Sequence, residues 1–129
     1  NQALAETRRI AKPGSLIFVI SDFQDQHDET RRHLHLLARH TDLIAFCTYD
    51  PLEASLPASG VYGVSDGQHS LRIDAGDSRL RQAFSGSYEN NLKQLKDTLA
   101  KASIPLIQAS TQDSALDVLR RTFTSASMP

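Results

Sequence analysis

Apolar positions along the chain follow two patterns. Short apolar runs without polar alternation mark strands, and between them apolar residues recur every three or four positions, as on one helix face. The sharpest run, Leu16-Ile17-Phe18-Val19-Ile20, lies in a strand predicted over 15–21 that ends abruptly in Ser21-Asp22. Its lack of alternation predicts cover on both faces, as inside a parallel sheet. A second strand is predicted over 42–49, ending in Tyr49-Asp50, and a third over 104–109, ending in Ser110-Thr111. Pro105 falls near the start of the third, where a missing donor is tolerated.

Helical spacing accounts for most of the rest. Ala3, Thr7, Ile10 and Ala11 predict a helix over 2–11, stopped by Pro13-Gly14. Leu34, Leu37 and Ala38 give the buried stripe of a helix over 27–40, with Arg31, Arg32, His35 and Arg39 outside. Leu80, Phe84, Tyr88, Leu92, Leu95 and Leu99 form one stripe over 77–102, with a kink expected at Ser85-Gly86-Ser87. A last helix over 112–124 turns Ala115, Leu116, Leu119 and Phe123 inward, is capped by Ser110 or Thr111, and leaves a loose tail over 125–129. Leu52–Pro57 reads as an irregular connection. Residues 60–75 read as a hairpin about Asp66-Gly67, a pair favoured in type I′ turns, with His69 beside the turn.

The order of elements predicts an α/β fold: a three-layer, doubly wound parallel sheet with an added β-hairpin. Strand 15–21 reads as central yet comes first in the chain. Residues 1–129 are therefore expected to form part of a larger domain, and the free edge of that strand to pair with something, self-association included.

Composition narrows the chemistry. At 129 residues, with 40% hydrophobic and 22% charged positions, the chain can bury a core. A net charge of −1 gives no reason to expect nucleic acid as a partner. The single cysteine, Cys47, excludes an internal disulfide and a cysteine-based zinc site, and reads as core filling. No apolar run approaches the ~20 residues that span a membrane, so membrane attachment would need segments outside this chain.

Ligands of open α/β sheets gather at the carboxyl ends of the strands. The three predicted strands would bring Ser21-Asp22, Tyr49-Asp50 and Ser110-Thr111 to one rim. Hard cations take oxygen ligands, commonly one or two carboxylates with hydroxyls and water, which makes Asp22 a candidate metal ligand and Ser21 a weaker one. The competing reading of Asp22 and Asp50 is a carboxylate that bonds backbone N–H groups of the next loop. Asp25 and Asp28 read as helix caps rather than ligands. There is no Gly-x-Ser-x-Gly elbow, Gly-rich phosphate loop or His-Glu-x-x-His motif. His33, His35 and His40 lack the i, i+4 relation that would aim two at one metal.

Two blocks carry a family resemblance. One is the strand and its ending, Leu16 to Phe23; the other is Tyr49-Asp50-Pro51-Leu52-Glu53, followed by Leu56-Pro57 and Gly60. Upstream, Arg9 to Ser15 also fits. Nearly the whole chain resembles the carboxyl-terminal half of a bacterial domain of unknown function 58 protein, a von Willebrand factor A-like family. The resemblance implies a Rossmann-type doubly wound sheet with a metal-ion-dependent adhesion site on its carboxyl rim. Asp22 matches the Asp that this site takes from its fourth strand. The Asp-x-Ser-x-Ser stretch that supplies the main ligands is not found in these residues, and no Thr matches the remaining ligand. What is implied is therefore magnesium in the full-length protein and none in this chain alone. The resemblance also implies a membrane-anchored bacterial protein with this domain facing the cytoplasm, and a MoxR-type AAA+ ATPase as protein partner.

The leading expectation is a non-enzymatic adaptor or protein-interaction module. The alternative is a metal-dependent hydrolase or phosphotransfer domain of flavodoxin-like topology, with Asp22 as nucleophile or ligand.

Overall fold

The computed structural model describes residues 2–24, 26–55, 57, 60–65, 67–68, 70–74 and 76–126. Its elements are α1 (Gln2–Ile10), β1 (Leu16–Ser21), α2 (Asp28–Ala38), β2 (Asp42–Tyr49), α3 (Pro51–Ala54), β3 (Val61–Ser65), β4 (Ser70–Asp74), α4 (Ser78–Lys101), β5 (Leu106–Ser110) and α5 (Ala115–Ala126). Strands β1, β2 and β5 form a parallel sheet in that order, and β3 and β4 form a separate antiparallel hairpin. This is the expected α/β class with its added hairpin. Asp25, Asp66, His69 and residues 127–129, to which capping, turn and tail roles were assigned above, lie outside the described residues.

β2 is the middle strand. Leu16 to Ser21 of β1 pair with Asp42 to Cys47, and Ala45 to Tyr49 pair with Leu106 to Ser110 of β5. A parallel strand with both edges paired and both faces covered is an apolar run. Leu43, Ala45, Phe46 and Cys47 are all buried, Ala45 completely. Ile17 and Val19 of β1 join Leu43, Ala45 and Cys47 on one face. There they meet Leu34 and Leu37 of α2 and Leu95 and Leu99 of α4. Leu4 of α1 packs at the border of the same cluster. Arg8 of α1 donates to His33 Nδ1 of α2 at 3.1 Å, which ties the first two helices together.

α5 covers part of the opposite face. Phe18 lies edge-on to Phe46 at 5.6 Å between ring centres and beside Phe123 at 5.9 Å. Such aromatic arrangements add a little to the area they bury. Among the described side chains of α5, Val118 and Thr122 are buried, and the Thr122 hydroxyl donates to Val118 O at 2.8 Å. Leu116, Leu119 and Phe123, expected inward, are 56%, 39% and 43% exposed. The inward stripe is thus rotated from the one that helical spacing of the largest side chains suggests. α5 also begins later than expected: Ser114, rather than Ser110 or Thr111, accepts from Asp117 N at its first turn.

β1 stands at one edge of the described sheet, with the free edge expected for it, but its residues alternate between exposed and half-buried instead of being covered on both faces. An apolar run reports which side chains are apolar, not what lies over them.

α4 runs unbroken through Ser85-Gly86-Ser87, without the expected interruption of its helix. Asp77 caps its start by accepting from Arg79 N and Leu80 N. Its end is closed by Ser103 at φ +56°, with Ile104 N donating to Leu99 O at 2.9 Å and Ser103 N to Ala100 O at 3.0 Å. This paired closure usually takes glycine at the left-handed position. Ile104 and Leu99, packed in one cluster, hold the turn in place.

Two stability measurements follow. Leu99, 1% exposed, should lose about 2–5 kcal/mol on replacement by Ala, whereas Leu116→Ala should stay within about 0.5 kcal/mol. Ser103→Gly removes the side chain from a left-handed position and should stabilise by up to about 1 kcal/mol, read by urea unfolding.

Candidate functional site

Parallel pairing brings the three carboxyl ends to one rim, in a staggered line. Ser21 is level with Cys47, and Tyr49 is level with Ser110. β1 therefore ends short of β2, and the chain leaving it must bend back across the rim. The bend is built from the residues singled out in the sequence. Phe23 N donates to Ser21 Oγ at 3.1 Å, and Gln24 N donates to Asp22 Oδ1 at 3.2 Å. Between them Phe23 takes φ +52°, rare for a bulky residue. Its ring is 7% exposed and belongs to the core cluster. Burial of that ring offsets the unfavourable backbone, and the two side-chain acceptors satisfy the N–H groups that the turn frees.

Asp50 has a different local role. Its carboxylate accepts from Leu52 N at 2.9 Å, and Glu53 Oε2 reaches back to Asp50 N at 3.2 Å. This is a capping box with Pro51 at the first helical position, so the Asp-Pro-Leu-Glu block forms the short helix α3 instead of an irregular connection. The box fixes the Glu53 side chain beside the rim.

A cleft of about 530 Å³ opens behind the β1 end, between the bend and α4. Asp22, Gln24, Glu53, Cys47, Tyr88 and Asn91 are among its lining residues. Gln26 Nε2 donates to Asn91 O at 2.9 Å and so ties the bend to α4. Tyr88 stands 6.2 Å from Tyr49, ring centre to ring centre. Sequence reading did not select Glu53 or Tyr88 as site residues. The capping box was a usable signal for Glu53; Tyr88 looks like any other member of the α4 stripe.

Electrostatics in the cleft runs one way. Burial pushes the Cys47 thiol above its ordinary pKa, and the carboxylates of Asp22 and Glu53 push it further. The Cys47 thiol lies 3.9 Å from Asp22 O. Tyr88 is also raised, by burial first and then by neighbouring negative charge. Cys47 is accordingly held as a thiol, the inert form.

Asp22 and Ser21 match a hard cation in the type of their donors, but not in number. Such ions take six or more oxygens, and here each side chain already accepts a backbone N–H. Among the described residues no group of three His, Cys, Asp or Glu side chains is placed to hold a metal. Asp28 begins α2 without capping it, and lies 3.6 Å from Arg31. Also among the described residues, no helix is long and apolar enough to cross a membrane.

Native Cys47 should react with iodoacetamide at pH 8 more slowly than a free thiol, because less of it is thiolate and it is buried. Its half-reaction pH should lie above that of a free thiol. Asp22→Asn, which removes one of the charges holding the proton on, should move that midpoint down, as read from rate against pH.

Against known proteins, a family model described as a protein of unknown function, DUF58, matches residues 1–94. No curated protein and no solved structure matches significantly. The matched stretch holds the β1 end, the bend through Asp22 and Phe23, and the Asp50–Glu53 capping box. The chain belongs to the DUF58 family.

Proposed function

We propose that the chain is a non-enzymatic protein-interaction module with a von Willebrand A-like sheet. On this reading it works as an adaptor beside a MoxR-type AAA+ ATPase, on the cytoplasmic side of a membrane-anchored bacterial protein. One observation carries the proposal: Asp22, exposed, stands at the carboxyl end of β1 on the rim where α/β sheets gather their ligands. Its Oδ1 orders the bend by accepting from Gln24 N. Membership of DUF58 supports the von Willebrand A-like resemblance, and that resemblance implies a metal ligand at this strand end.

In the proposal Asp22 is one oxygen ligand of a magnesium-type ion, with Ser21 a weaker candidate and the remaining ligands supplied from beyond this chain. Such an ion, when bound, offers a positive centre to a partner's carboxylate. The chain's own part is to fix Asp22 through the Ser21–Gln24 bend and to present it at an open rim. Cys47, the one thiol of the chain, has its pKa raised beside it and is a poor nucleophile.

Magnesium titration of the full-length protein tests the ligand role. Asp22→Ala should bind at least about tenfold more weakly, the loss expected when a carboxylate leaves a hard-cation site. Equal affinity in the two proteins would remove Asp22 from the site. A phosphatase assay on the same preparation should show no turnover, and Asp22-dependent turnover would favour the hydrolase alternative instead.

A further inference from the structure

The cleft between the bend and α4 shares only Asp22 with the ion site proposed above. Its walls come from the bend, β2, α3, β3 and α4, and none of the described residues lining it belongs to β1. It therefore does not depend on what pairs with the β1 edge. Its volume, about 530 Å³, lies within the range of small-ligand pockets, about 300–1,000 Å³.

The charge in the lining has one sign. Asp22 and Glu53 contribute carboxylates, and no Lys, Arg or His stands among the described lining residues. One oxygen of each is engaged locally, Asp22 Oδ1 with Gln24 N and Glu53 Oε2 with Asp50 N. Their charge is felt deeper in. Burial first, and then negative charge that includes Glu53, raises both the Cys47 thiol and the Tyr88 phenol. Gln26 adds a further acceptor. Its Nε2 donates to Asn91 O, which fixes the amide, because the reverse orientation would set oxygen against oxygen. Gln26 Oε1 is thereby left buried, with no hydrogen-bond partner among the described residues. A buried acceptor without a donor is costly, and it marks a place where a donor is wanted. The rest of the lining includes apolar Phe84 and Leu92 and the ring of Tyr88.

We infer that the cleft holds an arginine side chain of a partner protein. Arginine carries several N–H donors on one planar cation and has no acceptor. Its guanidinium suits two carboxylates beside an unsatisfied amide oxygen, and it stacks on aromatic faces such as that of Tyr88. Its aliphatic stem suits Phe84 and Leu92, with the charged head left for the acceptors. Lysine brings the same charge as a compact ammonium, without the planar fork. This assignment rests on the protein-interaction reading but not on the magnesium-type ion.

Ligand-detected NMR on the full-length protein in EDTA tests it, with Nα-acetylarginine amide as the probe. Saturable binding is expected, and it should weaken as salt is raised. Nα-acetylnorleucine amide, an apolar stem without the charge, should not bind, and Nα-acetyllysine amide should bind more weakly. Asp22→Asn and Glu53→Gln remove the charges but keep a side-chain oxygen for the backbone N–H groups, and Gln also serves in a capping box. Each should weaken the arginine probe about two- to fivefold, as expected for a partly exposed ion pair. Should a variant lose its circular dichroism signal, the salt dependence of the unaltered protein decides. No saturable binding, a lysine or norleucine probe that binds as tightly, or an affinity indifferent to both substitutions overturns the assignment. EDTA removes divalent ions, so such a failure leaves the magnesium titration standing by itself. Failure of the protein-interaction reading shows separately, as turnover in the phosphatase assay.

Discussion

β2 has strands on both of its edges, and that single arrangement places nearly everything else. Ala45, fully buried, sits where β1, β5 and the α2 and α4 helices converge. A larger side chain there would have to displace strands or helices, because close-packed interiors leave no spare volume. From β2 outward the structure loosens in steps. β1 and β5 each have one strand neighbour, and the hairpin stands apart as its own small sheet.

The rim follows from the same arrangement. Parallel strands of unequal reach leave a step, and the chain after β1 fills it with a bend around Phe23. Burying that ring draws the backbone into an unfavourable conformation, and the neighbouring Asp22 and Ser21 side chains stabilise the turn so produced. The same residues thus have a structural task before any binding task. The von Willebrand-like proposal gives Asp22 a second one through its other carboxylate oxygen.

Much of this was legible in the chain itself. The bounds of β2 follow directly from its apolar run and polar ending. The hairpin and the four longer helices follow from turn residues and spacing. α3 was legible but not read: Pro51 looked like a breaker, yet proline suits the first helical turn when Asp precedes it and Glu follows two positions later. Other features were not legible. The cleft joins the end of β1, α3 and α4, and no local pattern announces contacts between residues so far apart in sequence. The stripe of α5 misled because Leu116 and Phe123 are large and apolar, whereas Val118 and Thr122 are what the sheet covers. The free edge of β1 was expected, but its half-exposed face was not, because cover depends on which elements lie over a strand and not on the strand itself.

The strand order also has a kinetic side. β1, α2 and β2 follow one another closely, so their pairing closes a short loop and needs no other part of the chain. β5 can join β2 only after α3, the hairpin and the long α4 have been traversed. Loop closure costs more as the loop lengthens, and non-local pairing slows folding. The β1–α2–β2 unit is therefore the part of the sheet that local contacts alone can build. Until β5 joins it, β2 too has an unpaired edge.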